Sequence, residues 1–343
     1  MSWRSVRGHD SVVAGLRLGL AQGRFPHAFL FVGPDGIGKR HFAKTLAQAL
    51  LCERRDEAAL DPCGVCPSCQ QVEGNTHPDV LAVAKPEDKH ELPIRTIRDL
   101  CHDLSLKPMA GTRRIALVDD ADDLSEEAAN AFLKTLEEPP PGAVLILIAR
   151  SAETQLDTVV SRCRVVRFEP LADAELAAVL LDQGVTTDAA EAARLASLGE
   201  GSVGRALGLA DPALEDVRRR LIDELADPRP FDPSALARRL EEFITAAGKE
   251  SVLRRGRASL LMGELARFFR GVLWQTAGLE SPAADPADRR AAAVLAERLE
   301  PEDVFLLADR CLAADIQIRR KAYLPLILDS LTHDLSRLVR SSG

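Results

Sequence analysis

Over its first half the chain alternates short apolar runs with longer segments of helical periodicity. The runs cover residues 28–32, 79–83, 113–118, 143–149 and 164–168. Each has the length of a strand, and those at 113–118 and 143–149 read as buried on both faces. Between them, apolar residues recur at helical spacing over 10–21 (Val13, Leu16, Leu18, Leu20) and over 41–51 (Phe42, Leu46, Ala49, Leu50). A third helix starts at Pro93 and runs through Ile94, Ile97, Leu100 and Leu104. Ser125 with Glu127 opens a fourth over 128–138, which Pro139-Pro140-Pro141-Gly142 stops. Single strands alternating with helices predict an α/β domain with a five-stranded parallel sheet covered on both faces.

Past Pro170 the strand pattern disappears. Segments 173–181, 188–198 and 202–209 predict three short helices forming a small lid. A second helical block starts at Asp211-Pro212, with helices near 213–225, 234–247, 254–276, 287–297, 301–312 and 322–339, and loops at 227–230 and 278–286. Leu324, Ile327, Leu328, Leu331, Leu335 and Leu338 form a three-four stripe along the last helix, the pattern of a bundle core.

At 343 residues the chain has room for two or three domains. Its net charge of −8 argues against a free-standing nucleic-acid binder, although it leaves room for a basic patch within a larger assembly. No apolar run approaches the length of a membrane span and no signal-like segment opens the chain, so a soluble cytoplasmic protein is expected.

The turn after the first apolar run reads Gly33-Pro34-Asp35-Gly36-Ile37-Gly38-Lys39-Arg40. Between a strand and a helix, such glycines let backbone N–H groups curl around phosphates at a helix N-terminus, which is a P-loop. Gly33, Pro34, Gly36, Ile37, Gly38, Lys39 and Arg40 are therefore candidate nucleotide-binding residues, with Lys39 reaching the β- and γ-phosphates. The last position should be a hydroxyl residue that helps hold Mg²⁺. Here it is Arg40, whose guanidinium has no acceptor lone pair. The competing reading is a glycine-rich turn that binds nothing. Asp119-Asp120 closes the third apolar run, where a Walker-B carboxylate sits beside the metal. Otherwise these acids cap the turn that follows.

Of seven cysteines, Cys101, Cys163 and Cys311 are scattered, whereas Cys52, Cys63, Cys66 and Cys69 cluster. Cys-x-x-Cys-x-x-Cys preceded by a fourth cysteine brings four thiolates to one tetrahedral ion and leaves no open position, so the expected metal is a structural Zn²⁺. The alternative is four reduced thiols or a redox pair.

The stretch from Pro26 to Phe31 leading into the P-loop, the four cysteines, Asn130-Ala131-Phe132-Leu133-Lys134-Thr135-Leu136-Glu137-Glu138-Pro139-Pro140 and Ser161-Arg162-Cys163 resemble the bacterial replicative clamp loader. Members of that family are AAA+ subunits of the DNA polymerase III holoenzyme. The resemblance implies a RecA-like AAA+ domain over 1–169 with a zinc module at 52–69, a helical lid over 170–210, and an all-α collar over 211–343. The collar would assemble five subunits into a ring. Implied partners are gamma/tau and delta subunits, with the sliding clamp and primed DNA met through the complex and no membrane. Ser161-Arg162-Cys163 implies that Arg162 acts as an arginine finger in the ATP site of an adjacent gamma/tau subunit.

Three departures from the hydrolysing gamma/tau pattern align the chain with the family's non-hydrolysing subunit type. Arg40 replaces the metal-binding hydroxyl. Asp120 stands where the hydrolysing subunits have Glu, one methylene short. In Gly201-Ser202-Val203-Gly204-Arg205, Gly204 stands at the sensor arginine's position, and Arg205 would point about 100° away. ATP or ADP could still be held without hydrolysis. The alternatives are a hydrolysing gamma/tau-like subunit, or a zinc-stapled AAA+ interaction module outside replication.

Overall fold

The computed structural model describes residues 3, 6–86, 89, 91–248, 250–281 and 285–340. Part of the expected 278–286 loop and the last three residues of the expected collar lie outside this set. The chain divides into two compact units, Met1–Leu207 and Gly208–Gly343.

The first unit is built on the expected parallel sheet. Its strands are β1 (Ala28–Val32), β2 (Val80–Val83), β3 (Arg114–Val118), β4 (Ala143–Ala149) and β5 (Arg164–Arg167), in the spatial order β2-β3-β4-β1-β5. The helices are α1 (Asp10–Ala21), α2 (Lys39–Leu50), α3 (Pro67–Glu73), α4 (Ile94–Ser105), α5 (Glu126–Glu137) and the short α6 (Asp157–Val160). They are followed by α7 (Asp173–Asp182), α8 (Ala189–Gly199) and α9 (Val203–Leu209).

Strand periodicity divides the inner strands between two cores. Phe29 and Phe31 of β1, Ile115 and Leu117 of β3, and Val144, Ile146 and Ile148 of β4 pack with Val13 and Leu16 of α1 and Phe42 and Leu46 of α2. The residues between them, among them Leu30, Val118, Leu145 and Leu147, pack on the other face with Ile97 and Leu100 of α4 and Phe132 and Leu136 of α5. β1, β3 and β4 are buried at every position, while the edge strand β5 exposes Arg164 and Arg167. Charged ends on an edge strand discourage pairing with another chain.

The second unit is all-helical: α10 (Pro212–Ala226), α11 (Pro233–Thr245), α12 (Ser251–Thr276), α13 (Pro286–Ala296), α14 (Pro301–Arg319) and α15 (Leu324–Arg340). Asp-Pro opens three of them. The side chains of Asp211, Asp232 and Asp285 accept from the N–H groups of Ala213, Ser234 and Ala287, and proline takes the first helical position, where no donor is needed. Ile327, Leu328, Leu331 and Leu335 of α15 are buried in the bundle core as their stripe predicts. α14 runs seven residues beyond the expected stop at 312, to Arg319. The reason is that Leu307, Cys311, Ala314 and Ile318 continue one apolar face into the core while Asp315 and Arg319 pair outside it.

The residue before β2 anchors a neighbouring loop. Asp79 is fully buried, and its carboxylate accepts from the N–H groups of Met109 and Ala110 at 2.7 Å each and of Gly111 at 3.2 Å. The Asp79 carboxylate thus holds the loop between α4 and β3, to whose Lys107 carbonyl Arg114 Nη1 also donates at 3.3 Å. Asp79→Ala should lower unfolding stability by about 2 kcal/mol, because bonds to a charged acceptor are lost. Urea unfolding of the two proteins measures this, and an unchanged midpoint would show that the loop is held by something else.

Candidate functional site

The P-loop leaves the carboxyl end of β1 and turns directly into α2. Gly36 (φ +75°) and Gly38 (φ +98°) take left-handed conformations, and Gly38 is the N-cap of α2. Lys39 is the first helical residue and is buried. Its ammonium lies inside the loop it belongs to, donating to the Gly33 carbonyl and, at 2.7 Å, to the Pro34 carbonyl. Burial pushes its pKa down, against the opposing charges of Asp35, Asp122 and Asp119.

The carboxyl end of β3 supplies the acids. Arg40 Nη1 lies 3.3 Å from Asp119 Oδ2, so the residue in place of a metal-binding hydroxyl puts a guanidinium on the carboxylate expected beside the metal. Burial raises the Asp119 pKa, and Arg40 is the first of the influences opposing it. Asp120 follows in a left-handed conformation (φ +52°) and starts a short 3₁₀ turn. The acid with the most structural contacts is one that sequence reasoning passed over, Asp122. Its carboxylate accepts from the Arg150 N–H at 2.7 Å and from the Thr154 hydroxyl, while the Arg150 carbonyl accepts from the Gly33 N–H at 3.1 Å. These bonds tie the ends of β1, β3 and β4 together. Nothing in Ala121-Asp122-Asp123 distinguishes it from an ordinary capping acid.

The start of α9 lies on the P-loop. The Ser202 hydroxyl donates to the Asp35 carbonyl at 2.9 Å, and the Gly204 N–H donates to the Gly36 carbonyl at 3.1 Å. The contact favours glycine on both sides: a Cβ on Gly36, which also has a left-handed φ, would lie 2.4 Å from Ser202 Oγ, and one on Gly204 would sit tightly at 3.2 Å from Gly36 Cα. Gly204, noted as lacking the sensor side chain, is therefore a packing residue against the phosphate loop. The neighbouring Arg205 points to Glu200 at 3.6 Å.

The four clustered cysteines converge. Their sulfurs all lie within 4.8 Å of one another, with Cys63 and Cys69 4.0 Å apart. A tetrahedron of Zn–S bonds of about 2.3 Å would set its sulfurs about 3.8 Å apart, so the cluster fits such an ion. Backbone amides already point at the sulfurs: Cys63 N–H to Cys52 Sγ at 3.5 Å, Cys66 N–H to Cys63 Sγ at 3.3 Å and Cys69 N–H to Cys66 Sγ at 3.4 Å. Such donors favour thiolates and hold the sulfurs in place. The Val65 N–H, above all, brings Cys63 down to about 6, whereas burial pushes Cys69 up. Cys52 follows the end of α2, and Cys66 is the N-cap of α3, a helix the sequence pattern did not reveal.

Beside the cluster, Ser68 Oγ lies 2.9 Å from His77 Nε2, and Asp79 follows two residues on. This is not a nucleophilic triad. The Asp79 N–H donates to His77 Nδ1 at 3.1 Å, so the proton is on Nε2 and the imidazole donates to the serine instead of accepting from it. Asp79 spends its carboxylate on the loop described above.

Arg162 follows α6 and folds back on its own unit. Its Nε donates to Glu137 Oε1 at 2.7 Å and its Nη1 to the Thr158 carbonyl at 2.7 Å, with the side chain about one-third exposed. Glu137 is the last residue of α5. The cluster motifs read from sequence thus fall at three places in the first unit: the phosphate loop with its acids, the sulfur cluster, and this arginine.

Residues 8–172 match the family described as "DNA polymerase III, delta subunit". DNA polymerase III subunit delta' of Pseudomonas aeruginosa is 35% identical over 198 residues, which cover 57% of this chain and 60% of that protein. The delta' subunit of Escherichia coli is 33% identical over 204 residues, covering 60% of each. DNA polymerase III subunit tau of Escherichia coli is 32% identical over 218 residues, covering 62% of this chain and 33% of that protein. The chain thus matches three fifths or less of the length of these curated relatives.

Proposed function

We propose that the chain is a delta-prime-type clamp-loader subunit, a reading that starts from the match of residues 8–172 to the family described as "DNA polymerase III, delta subunit". It is a non-hydrolysing AAA+ member of a ring with gamma/tau and delta subunits. In that ring it helps place the sliding clamp on primed DNA, and Arg162 serves the ATP site of a neighbour. The observation that carries the reading is the Arg40–Asp119 pair. Hydrolysis in a P-loop enzyme needs a cation held between the loop hydroxyl and the Walker-B acid. Here a side chain of the protein brings the positive charge to Asp119. Similarity to tau alone would suit a hydrolysing subunit, but it does not restore a metal ligand at Arg40.

Two further features support the same reading. Lys39 is engaged by the carbonyls of Gly33 and Pro34, and α9 occupies the carbonyls of Asp35 and Gly36. For ATP or ADP to be held here, Lys39 would have to exchange its loop carbonyls for phosphate oxygens, and the nucleotide would then be a static ligand. The four cysteines would hold a structural Zn²⁺, whose contribution is to tie the end of α2 to α3. With four sulfur ligands there is no position for a reacting water.

The zinc proposal predicts about one Zn²⁺ per chain on metal analysis of purified protein. Cys63→Ser should lose the metal and loosen the 52–69 module while leaving the helical unit folded, as limited proteolysis would report. Well-folded wild-type protein without metal would refute the assignment.

The purified chain should show no Lys39-dependent ATPase. Arg40→Thr should not restore it, since Asp120 and Gly204 remain as they are. Turnover that disappears on Lys39→Ala would favour the hydrolysing reading.

Arg162→Ala should leave zinc content and ring assembly intact, because a partly exposed ion pair adds little stability. It should nevertheless lower the DNA- and clamp-stimulated ATPase of the assembled loader. A finger contributes about 10³-fold or more at a single site, and the loss for the whole ring is smaller because other sites keep theirs. Lys should substitute poorly, since it lacks the planar fork. Equal rates in rings carrying wild-type and Arg162→Ala chains would remove the finger role.

A further inference from the structure

The guanidinium of Arg162 is held along one edge. Of its five N–H donors, Nε–H and one on Nη2 go to the same oxygen of Glu137, the first at 2.7 Å. Nη1 donates to the Thr158 carbonyl, one helical turn back, at 2.7 Å, and to the Ser161 hydroxyl at 3.3 Å. Contact through Nε and Nη2 puts the Glu137 carboxylate on the side of the guanidinium plane. At the far end, formed by Nη1 and Nη2, one Nη2 hydrogen points away from Glu137, and Nη1 divides its two hydrogens between the short contact to Thr158 and the long one to Ser161. That end is a two-pronged donor of the kind that takes two phosphate oxygens side by side.

We propose that Glu137 is the positioning residue of this arginine. It fixes the plane of the guanidinium and leaves the Nη1/Nη2 fork to meet the phosphate oxygens of a neighbouring subunit's nucleotide, with the Ser161 hydroxyl yielding its place. The proposal rests on the reading of Arg162 as a finger in trans. Its physical basis is that an arginine side chain loses much rotamer freedom when it is fixed, and Glu137 and Thr158 impose that loss before the neighbour docks. Stability does not explain the pair, because Glu137 is half exposed and such pairs contribute little to folding. Glu137 is also placed to do this: as the last residue of α5, whose Phe132 and Leu136 are locked in the core, it stands on a rigid support.

The test uses the assembled, DNA- and clamp-stimulated loader. The finger-dependent rate is the difference between rings carrying the wild-type chain and rings carrying Arg162→Ala. Glu137→Ala should remove most of this difference, about fivefold or more, by lowering kcat with the KM for ATP unchanged. Glu137→Gln keeps an acceptor oxygen at the same reach and should retain most of it. Combining Glu137→Ala with Arg162→Ala should be no slower than Arg162→Ala alone. If the Ala variant does not assemble, Glu137→Asp, which withdraws the carboxylate but keeps its charge, should show the same loss. A full finger-dependent rate in Glu137→Ala or Glu137→Asp rings, a Gln variant no better than Ala, or a further loss in the double variant would each overturn the proposal. A ring with Arg162→Ala that is as active as wild type would instead remove the finger itself, and the positioning role with it.

Discussion

A strand buried on both faces has no side on which to carry a polar group, so its chemistry is displaced to its ends. β1, β3 and β4 are in this position, and in a parallel sheet their carboxyl ends come out together. The phosphate loop leaves β1, the acids leave β3, and Arg150 leaves β4 within reach of both. Asp122 binds the Arg150 amide, and Arg150 in turn binds Gly33. The sheet therefore does more than support the loop. It fixes where the loop begins, which acid can face it, and how far apart they stand.

On that frame the local charge balance decides what the site can do. Asp119 is partly enclosed and favours a positive partner: burial pushes its carboxyl up, and the charge of Arg40 opposes that. A divalent cation would meet the need and at the same time bind phosphate. A guanidinium meets it without offering a coordination site. Lys39 follows the same logic from the other side, since its ammonium is satisfied by the carbonyls of its own loop. The two cations that a nucleotide would otherwise recruit are both engaged within the protein.

Much of this was legible in the sequence because it is local or periodic. The buried strands announce themselves through continuous apolar runs, α15 through its stripe, and the sulfur cluster through its spacing. α3 was not legible: seven residues around Pro67 carry too little periodicity, and the helix owes its start to Cys66 as N-cap and Pro67 after it. The far end of α14 was obscured by Asp315, which accepts from the Ser259 hydroxyl of α12, and by the exposed Gln317 and Arg319, while Ala314 and Ile318 continue the core face. Arg40 could be read as unable to bind a metal, but not as the partner of Asp119. The contact of Ser202 with Asp35 spans 167 residues, and no pattern along the chain records it.

Gly204 shows why such long-range contacts change the meaning of a residue. In the sequence it stands at the position where the clamp-loader resemblance implies a sensor arginine in hydrolysing members. In the fold it is where two backbones approach, with Gly36 on the facing side. A side chain at 204 would bring its Cβ to 3.2 Å from the Gly36 Cα, so the two backbones would have to give by a few tenths of an ångström. A glycine at 204 thus suits the close seating of α9 on the loop. At Arg40, losing a metal ligand and gaining a partner for Asp119 are one substitution. Under the proposed function, the groups that would serve a nucleotide in this chain have become internal contacts, and Arg162 keeps one end of its donor fork for a site on another subunit.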